Sequence, residues 1–158
     1  MGMVNPTTVE PQAYSAINLG FRVDKASATL PASTTQDLFT IAGGRVLVTL
    51  LFGEVTTIIE TQACNTKVTA APTVGTAVDL ASNLDITADE AGCLYLVEGD
   101  GTALVGANAG AAMSGIGRAG FIVNTGVIRM ETAATNTGAT KWTLYYVPLD
   151  EGATVVSA

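Results

Sequence analysis

From Ile17 onward, apolar positions alternate or cluster over short runs bounded by glycine, a pattern that predicts strands rather than helices. The strongest run is Arg45 to Glu60, RVLVTLLFGEVTTIIE, dense in valine, isoleucine and threonine. Such β-branched side chains lose rotamer freedom in a helix and pack well on a pleated sheet. Gly53 in its middle predicts a bulge or a bend, leaving one long curved strand or two shorter ones. Phe39 and Ile41 frame a short alternation that Gly43-Gly44 closes as a turn. Further strands are expected at Thr66–Ala70, Thr76–Leu80, Cys93–Val97, Thr102–Val105 and Phe121–Asn124. Glu98-Gly99-Asp100-Gly101 reads as a hairpin turn, and Asp85–Ala91 as a single helical turn capped by Thr87.

The closing hairpin is the clearest unit. Ile128 and Met130 alternate with Arg129 and Glu131, and Thr135–Gly138 turns the chain. Trp142, Leu144 and Tyr146 then share one face, opposite Lys141, Thr143 and Tyr145. Tyr145, away from the tryptophan face, is expected to be exposed and to anchor a partner. Residues 1–16 carry Pro6 and Pro11 without periodicity, the signature of an extended arm. Val4, Val9 and Tyr14 are its candidate contacts. Pro148 ends the last strand, leaving 150–158 as a tail. At 158 residues, 17–149 reads as a single all-β domain, a β-sandwich or barrel.

Composition narrows the function more than it narrows the fold. Only 13% of the residues are charged and none is histidine. An ordinary soluble domain carries about 25% charge, so a large share of this surface is expected to face other protein. The net charge of −7 argues against nucleic acid and against anionic membranes. No apolar run approaches a membrane span, and the N-terminus lacks the basic and apolar regions of a signal peptide.

Chemistry-bearing motifs are scarce. Gly115-Ile116-Gly117-Arg118-Ala119-Gly120 fits a dinucleotide fingerprint, but a Gly/Ala loop precedes it and a strand follows, so no cofactor is expected. Cys64 and Cys93 read as two small buried hydrophobes, and without histidine they do not compose a zinc site. The acids Asp79, Asp85, Asp89 and Glu90, with Glu98 and Asp100, lack calcium-loop spacing and read as solvated turn carboxylates. Nucleophilic catalysis lacks its usual base, and no S-x-x-K motif supports a serine–lysine pair. No enzyme is expected.

Thr135-Asn136-Thr137-Gly138, the run Lys141 to Asp150 (KWTLYYVPLD) and Gly152 to Val156 (GATVV) resemble small structural proteins of tailed bacteriophages, of the capsid decoration or cement type. That resemblance implies a jelly-roll-like fold and a homotrimer. It implies residence on the outer surface of the virion's head, with the major capsid protein as partner. It carries over no catalytic residue. The rival reading is a head-fibre or tail-associated module that binds host glycans through exposed aromatic rings.

Overall fold

A computed structural model describes residues 19–106, 108, 110 and 120–158. The arm with Val4, Val9 and Tyr14, and the glycine fingerprint up to Ala119, lie outside the described residues. The strands are β1 (Phe21–Thr29), β2 (Thr35–Ala42), β3 (Val46–Thr57), β4 (Asn65–Pro72), β5 (Val78–Asp85) and β6 (Leu94–Leu96). They continue with β7 (Val105–Gly106), β8 (Phe121–Val123), β9 (Gly126–Thr132), β10 (Ala139–Pro148) and β11 (Thr154–Ser157). Two antiparallel sheets result. Sheet A runs β1-β10-β3-β6-β7 with β8 also on β3, and sheet B runs β11-β2-β9-β4-β5.

The pairings follow one rule. Among β1, β2, β3, β4, β5, β6, β9 and β10, the first pairs with the last and the second with the seventh. The third pairs with the sixth, and the fourth with the fifth. Pairings β10–β3 and β9–β4 then complete the two sheets. This is the winding of a jelly roll, in which one long folded ribbon rolls into a sandwich. The all-β sandwich expected from the strand pattern is present.

Between the sheets lie Val46, Val48, Leu51, Trp142 and Leu144 from sheet A, against Phe39, Ile41, Val68, Ile128 and Met130 from sheet B. Trp142 fills the centre. Its ring stacks on Tyr95 at 6.5 Å and its indole N–H donates to Thr140 Oγ1 at 3.1 Å. Gly53 sits directly across from it, and a Cβ there would lie 2.9 Å from three ring atoms. The glycine therefore makes room for the indole, and β3 is a single strand through it. The register shifts lie on either side of it, at Thr56 and at Thr49. Tyr145 pairs with Leu50 but Tyr146 with Val48, so Thr49 is the extra residue and the inward phase resets from Val48 to Leu51.

Several expectations are corrected. Within the 150–158 tail, residues 154–157 form β11, paired along β2, and Lys25 Nζ donates across the sandwich edge to Ala158 O. Thr102 to Leu104 do not pair with β6. They run along the edge of β5, where Ser82 N donates to Thr102 O and Leu104 N to Ser82 O. The 85–91 segment forms turns, not a helical turn. Its organiser is Asp85 rather than Thr87, because the Asp85 carboxylate accepts from the Thr87 hydroxyl and from the backbone N–H of Cys64 and Thr87.

Those three hydrogen bonds, the Thr87 hydroxyl first, hold Asp85 below its ordinary 3.8. A depressed folded-state value stabilises the fold above the unfolded value, and that contribution disappears as pH falls through the folded value. The Tm is therefore expected to drop on acidification below about pH 4, and Asp85→Asn to flatten that drop in a thermal melt series. A drop of the same slope in the variant would remove Asp85 from the account.

Cys64 and Cys93 are free thiols, 1% and 3% exposed. Cys64 Sγ faces the Ala134 carbonyl and Cys93 Sγ faces Asn108 Oδ1. A thiol reagent is expected to label neither in the native protein and both after denaturation.

Candidate functional site

The two outer faces of the sandwich differ in chemistry. On sheet B, cross-strand rows place Asp37 beside Arg129, Arg129 beside Thr69 and Thr69 beside Asp79. The next row places Glu131 beside Lys67. Lys67 lies 3.3 Å from Asp79 and 3.8 Å from Glu131, and the Thr69 hydroxyl donates to Asp79 at 2.9 Å. Five charged side chains on neighbouring strands make this a hydrated face.

Sheet A presents another surface. Val147, Leu47 and Ile122 form one row across β10, β3 and β8. Tyr145 and Leu50 form the next, and Thr143, Phe52 and Leu96 the one after. None of these belongs to the buried cluster between the sheets. The most open of these are Ile122 at 66% and Val147 at 39%, and Leu149, just past the end of β10, is 45% exposed. Large apolar side chains grouped on one exposed face of a soluble protein mark an interaction surface.

The charges around this face cancel. Arg22 pairs with Asp24 at 2.9 Å, Lys141 with Glu54 at 2.9 Å and Arg45 with Asp150 at 2.7 Å. Each of these three cations has one anion. Arg45 makes the most of its partner: its backbone N–H, Nε and Nη2 all donate to the Asp150 carboxylate, holding that acid well below the usual range. A face whose marginal charges are paired presents little net charge to its surroundings.

A cavity of about 70 Å³ interrupts this sheet, lined by Thr49, Leu50, Leu96, Val97, Glu98, Gly120 and Phe121. It arises because β8 pairs with Val46–Val48 and β6 with Phe52–Glu54, leaving the bulge at Thr49 flanked by neither strand.

Tyr145 does lie on this face, opposite Trp142, but it is only 8% exposed. Alternation along β10 gives the direction of the side chain and not its cover. As a central strand, β10 sets Tyr145 between Arg22 on β1 and Leu50 on β3. The open side chains of this face are Ile122 and Val147 instead. The signal for an apolar outer face was in the sequence: Val46 to Phe52 is apolar at both parities except for Thr49, as in a strand covered on both faces. Among the described residues, no three His, Cys, Asp or Glu side chains come together to hold a metal ion.

No family model and no curated protein matches the chain. Among solved structures, a chain from "Structure of infectious bursal disease virus Gx strain" is similar at 13% identity, covering 85% of this chain, with a TM-score of 0.22. The chain spans 33% of the length of that protein.

Proposed function

We propose that this chain is a virion structural subunit, a capsid decoration protein of a tailed bacteriophage that docks on the outside of the assembled head and bridges major capsid subunits. The observation that carries the proposal is the contrast between the two faces: sheet B carries five charged side chains on neighbouring strands, whereas the outer rows of sheet A are apolar with three ion pairs at their margins. A subunit that sits on a shell needs one face for its neighbours and one for water. The jelly-roll winding and the phage-like closing hairpin agree with this role, although jelly rolls serve lectins as well as capsids and the fold alone does not decide.

The surfaces favour docking over glycan recognition. Trp142, Tyr95, Tyr145 and Tyr146 are all at most 8% exposed, which leaves Phe21, at 60%, as a lone open ring among the described residues rather than a cluster on which to stack a sugar. Docking stabilises the shell by mass action, because the subunit binds the assembled state and not its dissociated parts. Copies that self-associate, as the expected homotrimer does, would multiply that effect through effective concentration. Val4, Val9 and Tyr14 are proposed to add contacts from the arm. No catalytic step, cofactor, nucleic acid or membrane enters this role.

Purified protein mixed with empty phage heads tests the proposal. It is expected to co-sediment at a saturable stoichiometry and to raise the temperature at which heads rupture. Failure to co-sediment, or saturable binding of the isolated protein to cell-surface glycan, would overturn it.

A further inference from the structure

The strands that end the two sheets are β1 and β7 in sheet A, and β11 and β5 in sheet B. Three of them offer little to another chain. β7 is two residues long and β11 four. β5 is already bonded along its edge, where Gly101 N donates to Leu80 O, Ser82 N to Thr102 O and Leu104 N to Ser82 O. β1 differs. It runs for nine residues and, among the described residues, pairs only with β10. The free side of such a strand presents unpaired backbone N–H and C=O groups, a template for a further strand. A register shift between Lys25 and Ala28 spoils its second half, which leaves Phe21 to Lys25, FRVDK, as the regular run.

The side chains of that run complement themselves. Arg22 and Asp24 stand on the outer face, beside Tyr145 and Thr143, at 51% and 52% exposure. Phe21, Val23 and Lys25 point to the other side. Two copies related by a two-fold axis meet antiparallel, residue i on j and j on i. A pair that keeps each residue on its own face and matches at least three of them centres on Arg22, on Val23 or on Asp24. The first sets Arg22 against itself, and the third sets Asp24 against itself. Centring on Val23 sets Arg22 against Asp24 twice and Phe21 against Lys25 twice.

We infer that β1 pairs through its free edge with β1 of a second copy, antiparallel and centred on Val23, joining two A sheets into one. A guanidinium carries five N–H donors. Arg22 Nε serves Asp24 on its own strand, and the terminal nitrogens reach the carboxylate across the axis. Phe21, 60% exposed, is covered there by the aliphatic stem of the second copy's Lys25, whose tip is bonded to Ala158 O. The axis stands perpendicular to the sheet, so the apolar outer faces of both copies point the same way. The contact is two-fold, separate from the trimer that the phage resemblance implies, and it does not rest on the docking role. A run of five is small against the roughly 20–30 residues a side of a standard interface, so the pair is weak in dilute solution.

Sedimentation velocity of the full chain, at concentrations up to the millimolar, tests this on the parent, Arg22→Asp, Asp24→Arg and an equal mixture of the two variants. The parent is expected to form a two-copy species that grows with concentration. Each variant alone sets like charges against each other at both crossings, and is expected to associate about tenfold more weakly. The mixture sets two acids of one copy against two arginines of the other, and is expected to recover parental association. Loss of the Arg22–Asp24 pair within one strand would not be restored by mixing, so recovery reads the contact between copies. Both side chains are half exposed, so the circular dichroism spectrum is expected to be retained. A parent that stays single at every concentration, a three-copy species indifferent to both variants, variants that associate as the parent does, or a mixture as weak as its components would each overturn the inference.

Discussion

Trp142→Ala is expected to lower the free energy of unfolding by about 3–5 kcal/mol, the cost of removing a large buried aromatic side chain. The site has little capacity to collapse around the loss. Trp142 is 1% exposed and lies on β10, flanked by β1 and β3. Gly53 across from it has no side chain to fill the space, and Tyr95 loses its stacking partner at 6.5 Å. The buried Thr140 hydroxyl also loses the indole N–H at 3.1 Å. Because a domain is stable by only about 5–15 kcal/mol in total, the variant should unfold at far lower urea. Circular dichroism must follow the transition, since the sole tryptophan is gone. A loss below about 1.5 kcal/mol, the range of a volume-conserving swap, would mean that the two sheets do not close around this ring.

The second large effect is on association rather than on folding. Ile122→Asp combined with Val147→Asp is expected to weaken binding to empty heads by more than about 100-fold. Fully burying a valine or isoleucine side chain contributes roughly 1.5–3 kcal/mol, and every 1.4 kcal/mol is about tenfold in affinity. Loss of two such contacts, with two carboxylates brought into an uncharged contact, exceeds that threshold. Both residues are open in the free protein, at 66% and 39%. The same variant should therefore melt close to the parent. Parental affinity in a folded variant would remove this row from the interface.

The fold was legible where alternation was clean. In β9, Ile128 and Met130 face inward while Arg129 and Glu131 do not, and in β10 Trp142, Leu144 and Tyr146 point into the core as their spacing requires. β3 was legible as a strand from its β-branched residues, but its facing was not. The bulge at Thr49 puts Leu50 and Leu51 on opposite faces, and a run apolar at both parities gives no phase from which to locate a bulge. β11 was hidden because four residues, TVVS, are too few to show a period, and their pairing to β2 is made at long range.

The candidate site was half legible. Sparse charge pointed to a contact surface, but not to which surface it was. The charges do not gather at turns alone, since Asp37, Lys67, Asp79, Arg129 and Glu131 stand on the strands of sheet B. Only the register of the sheets sorts them from the uncharged residues of sheet A. Tyr145 shows the same limit in a single residue: its direction follows from sequence, whereas its cover by Arg22 and Leu50 follows from topology.

Hydroxyl-radical footprinting of the subunit, free and bound to heads, tests the two-faced account most directly, because aliphatic side chains report their own exposure. Ile122, Val147 and Leu149 are all open in the subunit on one side of the sandwich, while Val74 and Val78, beside β4 and β5 of sheet B, are 84% and 58% exposed. The account predicts that docking protects the first three from oxidation and leaves Val74 and Val78 as reactive as before. Protection of Val74 and Val78, with Ile122 and Val147 still oxidised on the particle, would contradict it.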